Sequence, residues 1–320
     1  MKEFYISDLR VDEEITDFFI IKTIALKLGS NKKQYLDLLL ADSTGEITAK
    51  KWDVADTELP SVNEIKDGDI VKIKAQVTQW NGLRQLRVLK IRKKAANDPV
   101  EMVDLIKAAP ERPEDMYHYI YARAEAMTDV DLKAICLRLL TENKERLMYY
   151  PAAQKNHHAQ LAGLLYHVKR MLMNGERMCQ VYTNLNADLV AAGVILHDIE
   201  KLNEIDSNEL GISTGYSFEG QLLGHLVQGI KTIEKIADEI GMPREKATML
   251  EHMILTHHYE PEYGSPKKPM FPEAEILHYL DIIDARMFDM EDALQGVQPG
   301  EFSDRVWTLD NRKVYKPSEI

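Results

Sequence analysis

Cysteine is scarce, with two residues in a chain of 320. That excludes a disulfide framework and a zinc module built on thiolates. Long apolar runs are missing too: the longest, at 38–41 and 189–196, fall far short of a bilayer span. The first residues, MKEFYISDLRVDEE, are acidic and lack the apolar stretch of a secretory signal. A soluble cytoplasmic protein with no membrane partner is expected. Basic charge is in deficit as well, with 40 Lys and Arg against 52 Asp and Glu and a net charge of −12. Spread evenly, that balance would argue against a nucleic-acid binder.

The charge is not spread evenly. Residues 1–95 hold 17 basic and 15 acidic side chains, a net of +2, and the rest of the chain nets −14. The chain has ten histidines, and none precedes His118. A length that suits about two domains, with chemistry this uneven, predicts two modules.

The first module reads as strands. Residues 18–28 are rich in β-branched and aromatic side chains, and 35–41 follow a polar turn containing Ser30, Asn31 and Lys32. Further runs cover 46–52, 70–79 and 83–92, the last two joined by the hairpin signal Asn81-Gly82. Val71, Ile73, Ala75 and Val77 alternate with Lys72, Lys74, Gln76 and Thr78, one face apolar and one polar. Five short strands predict a five-stranded OB-like β-barrel over 1–95, a fold that binds single strands through a charged groove and stacking aromatics. The candidate nucleic-acid contacts are Lys72, Lys74, Arg84 and Arg87, with Lys90 and Arg92 beside them, and Trp52 and Trp80 at strand ends. For each residue alone, a solvated lysine or a core tryptophan is the plainer reading.

After a polar connector the pattern turns helical, with connector and leading helices at 96–150, a helical domain at 151–295 and an irregular tail at 296–320. Pro113-Glu114-Asp115 and Met127-Thr128-Asp129 are helix starts. Further helices are expected near 158–180, 186–203, 217–240, 244–258 and 273–293.

Histidine and aspartate recur in order along these helices: His167 in GLLYH, His197-Asp198 in ILHDIEK, His225 in GQLLGH, His257-His258 in ILTHH, and Asp281 and Asp284 in LHYLDIIDA. Imidazole and carboxylate donors suit Mn, Fe, Zn or Ni, and carboxylate with water suits Mg. One carboxylate can bridge two ions, which together activate water and stabilise an in-line phosphoryl displacement. Lys201, four residues after His197 and one helical turn on, offers an ammonium to a phosphate oxygen. A lone histidine on a helix is more often a core or surface residue; His118 is read as structural, and His157, His158, His252 and His278 as bystanders.

The ordered series resembles the HD-domain phosphohydrolases, all-helical metal-dependent hydrolases of phosphate esters. The resemblance implies one ion on His167, His197, Asp198 and Asp281, and a second sharing Asp198 and adding His225 and His257, with His258 as the alternative ligand. Asp198, Lys201 and His258 are its catalytic candidates. With an OB-like module in front, the whole chain resembles the YhaM-type 3′→5′ exoribonucleases, on GLLYH, HDIEK and THH…EYGSP…PEAEILHYLDIIDAR. That implies trimming of single-stranded RNA, and for some members DNA, with two divalent ions, manganese foremost; a homo-oligomer is left open. Tyr263-Gly264-Ser265-Pro266 departs from the Gly-Tyr-Pro of the HD-GYP phosphodiesterases. The rival functions are an HD hydrolase of small or cyclic nucleotides and a non-catalytic single-strand binder. Two bound ions would offset the acidity of the catalytic half.

Overall fold

A computed structural model describes residues 2–29, 33–55, 57–100, 104–154 and 158–318; Ser30, Asn31, Lys32 and His157 lie outside the described residues. The chain separates into two units, 1–108 and 109–320.

The first unit is a closed barrel of β1 (Glu14–Leu28), β2 (Gln34–Asp42), β3 (Gly45–Lys51), β4 (Ile70–Trp80) and β5 (Leu83–Lys93), with a short helix α1 (Leu59–Asn63) between β3 and β4. The strand order is β1-β2-β3-β5-β4, closed by β1 against β4. This is the expected OB architecture. On β4 the apolar residues 71, 73, 75 and 77 are buried and the intervening polar ones are not, as the alternation predicts. Phe19, Leu36, Leu38, Leu40, Ile47, Ala49 and Leu86 complete the barrel interior. Asn81 and Gly82 both take positive φ, 49° and 82°, the pairing a two-residue hairpin turn requires. Closure depends on the parallel pairing of β3 with β5, Thr48 to Gln85 through Lys50 to Arg87.

The unit runs past the expected limit at 95. Asp104 accepts a hydrogen bond from the Tyr5 hydroxyl at 2.7 Å, and Leu105 and Ile106 are buried. The strand-flanking connector therefore finishes on the barrel before the helices start.

The second unit holds α2 (Pro113–Glu125), α3 (Val130–Glu142), α4 (Lys144–Leu147), α5 (Gly163–Val181), α6 (Ala187–Leu196), α7 (Lys201–Glu204), the hairpin β6 (Ile205–Ser207) and β7 (Ser213–Tyr216), then α8 (Phe218–Ile240), α9 (Arg244–Thr256) and α10 (Pro272–Ala293). The expected helix starts are used: the Asp129 carboxylate caps α3 by accepting from Asp131 N and Leu132 N. The apolar helix α6 is buried on every side from Leu189 to Leu196, so it runs through the core while α5, α9 and α10 pack around it. In the tail, Leu309 is fully buried, and 302 and 306 bridge to 315 and 312. Among the described residues no helix is long and apolar enough to cross a membrane.

Two local differences from the expected helices bear on the site. The stretch read as one helix at 186–203 is broken after Leu196. Main-chain bonds there tighten to three-residue spacing, Ile199 N to Leu196 O at 3.2 Å and Lys201 N to Asp198 O at 3.0 Å. The helix read from 158 starts instead at Gly163, because His158 and Ala162 adopt positive φ of 56° each. The His158 carbonyl approaches so closely that a Cβ on Gly163 would lie 2.0 Å from it.

Candidate metal centre

The buried helix α6 ends at the site, and the turn that follows it delivers His197 and Asp198. Because the helical register is lost there, Lys201 turns to Asp198, with Nζ 2.7 Å from Oδ2. Helix α5 contributes His167 and α10 contributes Asp281. Helix α8 contributes His225 through a kink: Gly224 has φ 69° and ψ 163° inside the helix, a conformation that favours glycine. His257 and His258 follow the last residue of α9.

These side chains converge. His167 Nε2 lies 3.3 Å from His197 Nε2, 3.3 Å from Asp281 Oδ1 and 3.8 Å from Asp198 Oδ2. His197 Nε2 is 3.3 Å from the same Asp198 oxygen. The other oxygen, Oδ1, faces His225 Nε2 at 3.4 Å and His257 Nε2 at 3.8 Å. Asp198, His225, His257 and His258 form one group of potential ligand atoms, His167, His197 and Asp198 a second, and His197, His257 and Asp281 a third.

The histidine orientations are fixed from behind. Nδ1 of His197 meets Val194 O at 2.9 Å, that of His257 meets Ile254 O at 2.8 Å and that of His258 meets Tyr263 O at 2.7 Å. A carbonyl only accepts, so Nδ1 carries the proton and Nε2 presents its lone pair to the centre. His278, read as a bystander, donates from Nδ1 to the His257 carbonyl at 2.7 Å and steadies the same turn.

Charge in the centre follows from these contacts. Burial pushes the Asp198 carboxyl up, but His197, Lys201 and His225 hold it well below the usual carboxylate range. Asp281 is held down in the same way against burial, chiefly by His167. Burial pushes His257 well below the ordinary imidazole value and His258 down to about 4. Both are neutral at pH 7, the form that ligates a cation. Burial also opposes charge on His167, yet Asp281 and Asp284 raise it to about 9. Carboxylates that favour a proton on that ring would also favour a cation at Nε2.

The residues fit a metal on two grounds. Donors about 2.0–2.2 Å from one ion, at angles near 90–110°, stand roughly 2.8–3.6 Å from one another; four of the distances above, at 3.3–3.4 Å, fall in that range and the two at 3.8 Å lie just beyond it. Asp198 Oδ1, His225 Nε2 and His257 Nε2 are buried with no hydrogen-bond partner among the described residues. Buried polar atoms left this way ask for a bound ion or water.

On the barrel, the candidate contacts differ in what they already hold. Trp52 is half exposed and stacks on Tyr35, while Lys50 Nζ lies 5.6 Å from the indole centroid. Arg87 is exposed and stands in register between Lys50 on β3 and Gln76 on β4. Trp80 is exposed beside the Asn81-Gly82 turn. Lys72 lies over the Phe18 ring at 5.0 Å, and Lys74 pairs with Glu14 at 2.7 Å. Arg84 donates from Nη1 to the Leu9 carbonyl at 2.7 Å, and Arg92 pairs with Asp98 at 2.6 Å. Tyr35 and Lys50 are the additions that the sequence did not single out, since their pairing with Trp52 follows from strand register.

Two more residues were not nominated at the metal centre. His158, read as a bystander, is fully buried with Nε2 2.7 Å from Asp284 Oδ2. Glu204 meets His225 Nδ1 at 2.9 Å through Oε2. Its only signal was an acid closing the short polar run after HDIEK.

Comparison with known proteins gives a consistent picture. The HD domain family matches residues 164–286. The chain is 40% identical over 308 residues to the 3′-5′ exoribonuclease YhaM of Geobacillus sp. (strain WCH70), covering 96% of this chain and 93% of that one. Solved structures similar to it include the second OB-fold domain of replication protein A from Methanococcus maripaludis, at 21% identity and a TM-score of 0.24, covering 31% of this chain and 98% of that one. Another is the OB domain of Ta0387 from Thermoplasma acidophilum, at 23% identity and a TM-score of 0.24, covering 31% and 92%.

Proposed function

This chain belongs to the family of the 3′-5′ exoribonuclease YhaM, and we propose that its histidine–aspartate centre performs that hydrolysis with two divalent ions. The protein is a metal-dependent 3′-5′ exoribonuclease, of the HD hydrolase class. The observation that carries the two-ion reading is Asp198, whose two oxygens face separate sets of imidazoles. His167, His197 and Asp281 with Oδ2 would hold one ion; His225, His257 and His258 with Oδ1 would hold the other. Bound there, divalent cations supply Lewis-acid charge to a phosphodiester and its attacking water.

The chain's own residues do the rest. The main-chain carbonyls behind His197, His257 and His258 orient their imidazoles before substrate arrives. Lys201 stays cationic: burial opposes its charge, but Asp198 raises its pKa. Its ammonium neutralises the central carboxylate and offers a contact to a phosphoryl oxygen. His258, neutral at pH 7, suits a ligand better than a proton donor. Manganese is the ion that the family resemblance favours; a donor set of imidazole and carboxylate also suits Fe, Zn or Ni.

The barrel would grip single-stranded RNA, and single-stranded DNA as a secondary substrate, without sequence readout. Trp52, Tyr35, Lys50 and Arg87 support that role best, with Trp80, Lys72 and Lys74 around them. Arg84 supports it least, since its Nη1 already donates to two main-chain carbonyls. An RNA substrate favours a cytoplasmic location. The test is to incubate the protein with 5′-labelled single-stranded RNA and Mn²⁺. A ladder of shortening labelled products supports the reading. Immediate release of labelled mononucleotide would overturn the direction.

A further inference from the structure

The five site histidines are backed in two chemically different ways. His197, His257 and His258 rest on neutral main-chain carbonyls. His167 and His225 rest on carboxylates: His167 Nδ1 meets Asp284 Oδ2 at 2.8 Å, and His225 Nδ1 meets Glu204 Oε2 at 2.9 Å. A carboxylate behind an imidazole raises its basicity and its hold on a metal, which a carbonyl does less. The two carboxylate-backed histidines stand on opposite sides of Asp198, His167 toward Oδ2 at 3.8 Å and His225 toward Oδ1 at 3.4 Å.

Each backing carboxylate is itself held. Asp284 is buried; its Oδ1 is 2.6 Å from Arg170 Nε, and its Oδ2 is shared by His158 and His167. The guanidinium so close makes the group of His158, His167 and Asp284 a poor place for a further cation, although its atoms are near enough to ligate one. Glu204 closes α7 and grips His225 twice, through Oε2 at Nδ1 and through Oε1 at the main-chain N–H, 3.2 Å away. The Gly224 kink brings that N–H round; a Cβ on this glycine would lie 3.5 Å from Glu204 Oε1.

We propose that Asp284 and Glu204 are positioning residues that set the affinities of the two ions separately. Asp284 acts through His167 on the ion at the Oδ2 side, and Glu204 through His225 on the ion at the Oδ1 side. The proposal rests on the two-ion reading given above. It makes the centre a pair of independently tuned sites joined by one carboxylate.

The experiment is a Mn²⁺ titration of the chelator-stripped full chain, with free Mn²⁺ read by electron paramagnetic resonance. Wild type is expected to bind two ions. Asp284→Asn should weaken one binding class by about 10–100-fold and leave the other, Glu204→Gln should weaken the opposite class by about as much, and the double variant both. Activity of Glu204→Gln should return when Mn²⁺ is raised by the same factor, which a merely structural defect would not allow. If either folded variant binds both ions as wild type does, or if each weakens both classes alike, the proposal is overturned. A single ion on the wild type overturns the two-ion reading itself, a distinct failure. Glu204 is partly exposed, so its variant carries the test even if the buried Asp284 change prevents folding.

Discussion

The indole of Trp52 lies on the ring of Tyr35, with centroids 4.7 Å apart and planes inclined by 28°. The pair forms an exposed aromatic shelf flanked by Lys50, with Arg87 on the neighbouring strand. Trp52→Ala should weaken single-stranded RNA binding by about 1–3 kcal/mol with little change in salt dependence. Arg87→Ala should instead lower the salt slope by about one unit. Binding measured from low to high salt separates them; equal, negligible effects would remove the shelf from the RNA path.

Asp198→Asn keeps the shape of the central side chain and removes its charge. Turnover should fall by about 10²–10³-fold, the scale of losing a principal electrostatic stabiliser. RNA binding should persist, because the barrel is a separate unit. A gel assay beside a binding curve checks both; near-normal cleavage would refute the assignment.

Chelation should stop cleavage without unfolding the chain. The histidines are already held by carbonyls and carboxylates, so the far-ultraviolet dichroism should hold. Adding Mn²⁺ to about 100 times its dissociation constant should stabilise the folded state by about 2.7 kcal/mol per site. A melting temperature insensitive to Mn²⁺ would argue against a metal centre.

Gly163→Ala pushes a methyl onto the His158 carbonyl. The neighbour is backbone, so the start of α5 must move. A loss of about 1–3 kcal/mol is expected, with a lower calorimetric transition for the helical unit. An unchanged transition would mean that the turn at 158–162 yields freely.

Asp188 gives the pH dependence a sign. Burial pushes its carboxyl up, but donors from Asp129 and Thr128, with Arg123 nearby, outweigh that and lower it. A depressed folded pKa stabilises above the unfolded value, near 3.9, and the benefit disappears as pH falls through the folded one. The melting gap between wild type and Asp188→Asn should be full at neutral pH and close in acid. A gap that widens in acid would reverse the sign.

Much of this was legible in the sequence because it is local. The alternation on 71–78 and the Asn81-Gly82 hairpin depend on neighbours in the chain, and the order of the histidine–aspartate series is itself a property of the sequence. What was not legible is contact between distant segments. Glu204 serves His225 only because α8 kinks at Gly224 and returns over α7. His158 passed for a bystander because its partner, Asp284, lies on α10, far along the chain. Arg84 counted as a surface charge until the segment around Leu9 folded beneath its guanidinium. The break at His197 was hidden inside an apolar run that reads as continuous helix.

The burial of α6 on all sides has a consequence for how such an enzyme can diversify. Every residue from Leu189 to Leu196 is in the core, and the next two belong to the proposed metal centre. Packing therefore constrains the eight positions that hold the two candidate ligands in place, and a change in the helix would register at both. New substrate preferences would arise elsewhere, at exposed side chains such as those of Tyr263 and Met270, rather than at the buried Ser265 between them.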